Sequence, residues 1–130
     1  MKKEITIDGG SIRDISTFYT EINSVFMHEE TWEIAQSLDA FDDLLYGGYG
    51  AINGNEPVRL IWSNIEVSLV ALGYETTKSY YMRKLEQPAV FNTVMFQEKL
   101  DALDAGVGET YFDIIIGIIA SHPNIELVRL

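Results

Sequence analysis

Leu38-Asp39-Ala40-Phe41-Asp42-Asp43-Leu44-Leu45-Tyr46-Gly47-Gly48 and, after a short gap, Pro57-Val58-Arg59-Leu60-Ile61-Trp62 set the architecture. In the first segment Leu38, Phe41 and Leu45 return every three or four residues, with Leu44 beside them, which is the apolar stripe of a helix. Ile34 continues that stripe upstream, so the pattern predicts a helix from Glu30 or Thr31 to Tyr46. Gly47 and Gly48 close it, because glycine accepts the left-handed conformation that follows a helix. Gly50, Asn53, Gly54 and Asn55 then mark a loop. The second segment is β-branched and aromatic, and its proline stands at the first position, where a strand tolerates it.

Working outward, Glu4 to Ile7 alternates like a strand, and Asp8-Gly9-Gly10 turns the chain. Ser11 is placed to cap a helix reaching Phe26, with Asp14 three residues on as a loose capping box. Ile15, Phe18, Tyr19, Ile22 and Phe26 supply its apolar face. Beyond Trp62, Ser63 or Asn64 caps a short helix to Leu72, ended by Gly73. Residues 74–87 and 88–104 read as two further helices, with Pro88 in the first turn of the second. Tyr80-Tyr81-Met82 reads as packing rather than a ligand site. Tyr111 to Ala120 is apolar nearly all round and reads as a buried central helix, although Ile114-Ile115-Ile116 also fits a strand by propensity. His122-Pro123-Asn124 turns into a last strand, Ile125 to Leu130. Strands separated by helices predict a single α/β domain over residues 1–130, with a small three-stranded parallel sheet.

Composition narrows the function. The 130 residues carry a net charge of −11, and no basic patch is visible, which argues against nucleic acid or an anionic membrane as partner. There is no cysteine, so thiolate metal sites, disulfides and thiol nucleophiles are excluded. The N-terminus lacks the apolar block of a signal peptide, and the longest apolar run is far too short to span a bilayer, so a cytoplasmic location is expected. His28 and His122 show no metal-ligand or triad spacing and read as surface or cap residues. No catalytic role, metal or cofactor is expected.

From Asp14 to Val58 the chain has nine acidic residues and neither lysine nor arginine. A solvated helix usually interleaves both signs. On the predicted helix, Asp39, Asp42, Asp43 and Tyr46 fall away from the apolar stripe, and Trp32 joins them if the helix begins early. Aspartates one turn apart repel, and those in the last turn oppose the helix dipole. Such a face serves either solubility alone or a strongly cationic partner, and the aromatic frame favours the partner.

Leu38-Asp39-Ala40-Phe41-Asp42-Asp43-Leu44-Leu45, lying between two predicted strands, resembles the second helix of the barstar-type ribonuclease inhibitors. Ile7-Asp8-Gly9-Gly10-Ser11-Ile12-Arg13-Asp14-Ile15-Ser16 resembles that family's first strand and the start of its first helix. The likeness covers residues 4–62 and resumes loosely over 108–130. It implies a three-stranded parallel α/β domain that plugs the active site of a basic secreted ribonuclease with carboxylates standing in for RNA phosphates. By motif, Asp39 and Asp43 match the two helix aspartates and Gly47 the glycine after them, with Asp43 as the main anchor. Glu33-Ile34-Ala35 replaces the family's Tyr-Tyr-Gly, Ser37 its asparagine and Asp42 its tryptophan. Gly117 stands near the place of its partner-facing glutamate, and 74–106 is a helical insertion. The resemblance therefore implies an immunity protein with partner-binding residues Trp32, Asp39, Asp42, Asp43, Tyr46, Gly47 and Tyr49, monomeric when free. An acidic adaptor, or an immunity module against a non-ribonuclease toxin, fits the same face.

Overall fold

The computed structural model describes residues 2–130. Three strands, β1 (Lys3–Asp8), β2 (Val58–Ser63) and β3 (Ile125–Arg129), form one parallel sheet in the order β1-β2-β3. Ile5 pairs with Leu60 and Leu60 with Leu127, which puts alternate apolar residues of all three strands on one face. On that face Ile5, Ile7, Val58, Leu60, Trp62 and Ile125 are buried. Glu4, Thr6 and Glu126 stay exposed on the other face, with Arg59 and Ile61 half-buried. All-parallel sheets are ordinarily covered on both sides. Here the open side is made compatible with water by a charged row across the strands: Arg59 donates to Glu4 at 3.2 Å and to Glu126 at 3.2 Å.

The helices are α1 (Ile15–Phe26), α2 (Leu38–Leu45), α3 (Ile65–Ala71), α4 (Tyr74–Leu85), α5 (Thr93–Asp104) and α6 (Tyr111–Ala120). The expected α/β class and parallel sheet are thus found, with several boundaries moved. Ser11 lies in a 3-10 turn (Gly9–Ser11), and Asp14 itself caps α1, its carboxylate accepting from the Thr17 backbone N–H at 2.8 Å. These hydrogen bonds hold the Asp14 carboxyl below its usual range. Pro88 lies in the turn before α5, which is capped by Asn92 instead. The α6 helix is buried on one side only: Tyr111, Phe112, Ile115 and Ile119 are buried, whereas Gly117 is exposed. Gly9 marks where β1 meets the end of β2. A Cβ there would collide with the Ser63 carbonyl and come within 2.7 Å of Ser68 Oγ. That hydroxyl is fully engaged, accepting from Trp62 Nε1 at 2.9 Å and donating to the Gly9 carbonyl at 3.1 Å.

The segment 74–106 is a helical hairpin of α4 and α5, with a small core of its own around Tyr81, Leu100 and Leu103. It is tied to the main body through α6. Thr77 Oγ1 accepts from the Tyr111 N–H at 2.8 Å, and the Tyr80 ring meets the Tyr111 ring edge-on at 5.2 Å. Tyr111 in turn shares a buried 2.7 Å hydrogen bond with Tyr19 of α1. No helix of the described residues is long and apolar enough to cross a membrane.

Candidate functional site: the acidic helix and its three neighbourhoods

The α2 helix is shorter than the sequence pattern predicts, because Asn23 intervenes. This buried side chain accepts from the Ile34 N–H at 2.8 Å and donates to the Ile34 carbonyl at 3.4 Å. With both backbone groups taken, Ile34 has none left for a helical ladder, and residues 30–37 stay irregular while Ile34 still packs into the core. Ser37, in an extended conformation, starts the helix by accepting from the Ala40 N–H at 3.1 Å. At the other end Gly47 has φ of +82° and its carbonyl accepts from the Gly54 N–H at 2.8 Å. Any side chain at 47 would collide with the Gly54 backbone. Gly47 thus fixes where the helix stops and returns.

Phe41, Leu44 and Leu45 are fully buried, as the apolar stripe predicts. Because the helix begins at Leu38, Asp39 sits in its first turn, where the dipole favours a negative charge. Only Asp42 and Asp43 lie near the end that the dipole disfavours for a carboxylate. The expectation for Trp32 is corrected: it is not on the helix but on the preceding loop.

Each aspartate has a different setting. Asp43 is exposed and makes no ion pair among the described residues. Its charge reaches Tyr49, whose phenol is pushed up by burial first and by Asp43 second. The Tyr49 ring lies 4.8 Å from that of Trp32, so Trp32, Tyr49 and Asp43 form one neighbourhood. Asp39, one turn away, is also exposed and unpaired among the described residues. It lies toward α4, where burial and then the Asp39 charge push the Tyr80 phenol up.

Asp42 differs from both. Its carboxylate is 2.7 Å from His122 Nε2, and the histidine side chain is only 4% exposed. An ionised carboxylate can only accept, so the imidazole Nε2–H donates. The Tyr46 ring stands edge-on against the same imidazole at 4.6 Å. Asp42, Tyr46 and His122 therefore clasp the end of α2 to the turn between α6 and β3. His122 is a buried structural residue, not the surface or cap residue that its flanking sequence suggests. The carboxylate that looked free is the one with a partner. Tyr46 nonetheless keeps an open face, being 63% exposed.

The structure thus groups Trp32, Asp43 and Tyr49, places Asp39 one turn back on the same side of α2, and turns Asp42 to the other side. The three carboxylates do not converge: no group of three or more potential metal-ligating side chains occurs among the described residues. A cavity of about 690 Å³ lies between the β1 edge and the end of α1, and its lining includes none of these aspartates. No protein-family model matches the chain, and no curated protein matches it.

Proposed function

We propose that the chain is a stoichiometric inhibitor, an immunity protein, of a basic extracellular ribonuclease, and that α2 enters the enzyme's phosphate-binding site. The observation that carries this reading is the pair Asp39 and Asp43: two carboxylates one turn apart, exposed and without ion-pair partners among the described residues, Asp43 near the Trp32–Tyr49 ring pair and Asp39 toward Tyr80. Like charges at that spacing repel by roughly 0.2–0.5 kcal/mol, a standing cost that a cationic partner turns into attraction. The small parallel α/β sheet and the helix placed between its first two strands agree with the resemblance to the barstar-type inhibitors. Within the proposal Asp43 is the anchor, Asp39 a second phosphate mimic, and Trp32, Tyr46 and Tyr49 the aromatic contacts. Asp42 keeps a structural part through His122, and Gly47 shapes the turn. Catalysis is not part of the proposal, since the aspartates stand on an open helical face.

The test is inhibition. The chain is titrated into basic secreted ribonucleases, beginning with any encoded beside its own gene, while cleavage of a fluorogenic RNA is followed. The expected result is a sharp one-to-one end point, with association slowing steeply as salt rises. Asp43→Ala should weaken inhibition by roughly 2–5 kcal/mol, the range for truncating one member of a desolvated charge pair. Undiminished inhibition by Asp39→Ala and Asp43→Ala would overturn the site. A cationic target of another class, held at the same face, would overturn the ribonuclease assignment alone.

A further inference from the structure

Beside Asp39 the α4–α5 hairpin builds a second recognition element of the opposite charge. A pocket of about 500 Å³ opens between the start of α1, Gln36 just ahead of α2, and α4, with Tyr80 in its wall. Tyr80 is the residue whose phenol feels the Asp39 charge, so the pocket adjoins the acidic helix. One end holds Arg83, Lys84 and Phe91. Lys84 Nζ sits 4.0 Å from the Phe91 ring centre and 5.0 Å from that of Tyr80, an ammonium held between two rings. Neither Arg83 nor Lys84 has an ion-pair partner among the described residues. In a chain of net charge −11, two adjacent cations left free in a pocket are notable.

The pocket also contains carboxylates. Asp14 caps α1, its Oδ1 accepting from the Thr17 N–H and hydroxyl, and lines the end of the pocket formed by the start of α1. Glu75 lies on α4 eight residues before Arg83, a rise of about 12 Å along the axis. Salt screens exposed charges over about 8 Å, which weakens the effect of the exposed Glu75 on a ligand at the basic end.

We infer that the Arg83–Lys84–Phe91 end of this pocket binds an acidic side chain of a protein partner, flanked by an apolar or aromatic residue. An arginine fork and a ring-held ammonium suit a carboxylate, and the Tyr80 and Phe91 faces suit the neighbouring side chain. The choice of a protein as occupant rests on the function proposed above; the charge and ring chemistry does not. A partner bridging both elements presents cations to α2 and a carboxylate to α4, a two-signed pattern that rejects proteins that are merely basic.

The experiment uses the full chain and two blocked dipeptides, N-acetyl-Glu-Phe-amide and N-acetyl-Gln-Phe-amide, followed by amide chemical shifts. The glutamate probe should give saturable shifts at Ser79, Tyr80 and Gln36. The glutamine probe, and the Arg83→Gln/Lys84→Gln variant, should each bind about tenfold more weakly or worse. Both substitutions lie on partly or fully exposed positions, and an unchanged spectrum elsewhere reports an intact fold. Equal shifts from the two probes, equal binding by the variant, or no saturable shift at these residues overturns the inference. None of these outcomes bears on ribonuclease inhibition through Asp39 and Asp43, so the two readings fail separately.

Discussion

Replacing Asp42 and Asp43 by alanine, one at a time, should leave the Asp42 variant the less stable of the two, although the two residues are neighbours on one helix. Both substitutions gain helix propensity, remove a charge that opposes the dipole in the last turn, and relieve repulsion with Asp39. These shared contributions cancel in the difference between the two variants. What remains is the His122 hydrogen bond, broken only by Asp42→Ala, which leaves a buried N–H without an acceptor. A hydrogen bond to a charged group contributes about 1.5–3 kcal/mol. The Asp42 side chain is 37% exposed and water partly substitutes for the lost contact, so a difference of about 1–2 kcal/mol is expected. For a domain of this size that is a gap in Tm of roughly 4–8 °C. Asp43→Ala should leave the protein level with the parent or stabilise it by about 0.5–1 kcal/mol. Urea unfolding of both variants, in the parent and in a His122→Ala background, provides the measurement. In the His122→Ala background the difference should vanish. A gap below about 0.5 kcal/mol in the parent would show that the clasp contributes nothing and that Asp42 is as free as Asp43.

Three other expectations follow from the packing. Gly9→Ala forces a methyl group against the Ser63 carbonyl and Ser68 and should destabilise by about 1–3 kcal/mol, read from the urea midpoint at unchanged slope. Asn23→Ala leaves the Ile34 N–H without its acceptor and should cost about 1–3 kcal/mol, with hydrogen exchange accelerating over residues 30–37 before the rest of the domain. Burial pushes the Tyr19 phenol from 10.0 up to about 12 and moves Tyr111 further in the same direction. The folded state therefore retains protons that the unfolded chain releases near pH 10. Stability should be level below pH 10 and then fall by about 1.4 kcal/mol per pH unit for each tyrosine, the Tyr19 share being lost by about pH 12. Tyr19→Phe should remove its share of that slope in urea titrations between pH 9 and 11, and a flat profile in the parent would refute the assignment.

Much of this arrangement was legible in the chain. Alternation in Glu4–Ile7, the β-branched and aromatic run after Pro57, helical spacing between them, and the Gly47-Gly48 stop together placed β1, α1, α2 and β2 in order. The start of α2 was not legible, because the residue that prevents helix over 30–37 is Asn23, a long-range partner that periodicity does not register. Ser37 as N-cap was the local signal available, overridden by Ile34 falling on the helical stripe. The clasp escaped for the same reason: Asp42 and His122 are 80 positions apart, and nothing around His122-Pro123 marks the imidazole as buried. Arg83 and Lys84 were not legible as a site because the pocket around them is assembled from α1, Gln36, α4 and Phe91, positions that only the fold brings together. By contrast the exposed placement of Asp39 and Asp43 on one side of α2 was readable, since it depends only on spacing within one helix.

The Asn23 bonds to Ile34 also bear on how fast and how tightly another molecule can be held. Ordering a flexible side chain at an interface costs about 0.5–1.5 kcal/mol each time. Here the loop is already fastened before any encounter, and the Trp32 ring already rests against Tyr49. Less conformational freedom is left to surrender on docking, so a complementary surface would lose less of its contact energy to ordering this loop and would dissociate more slowly.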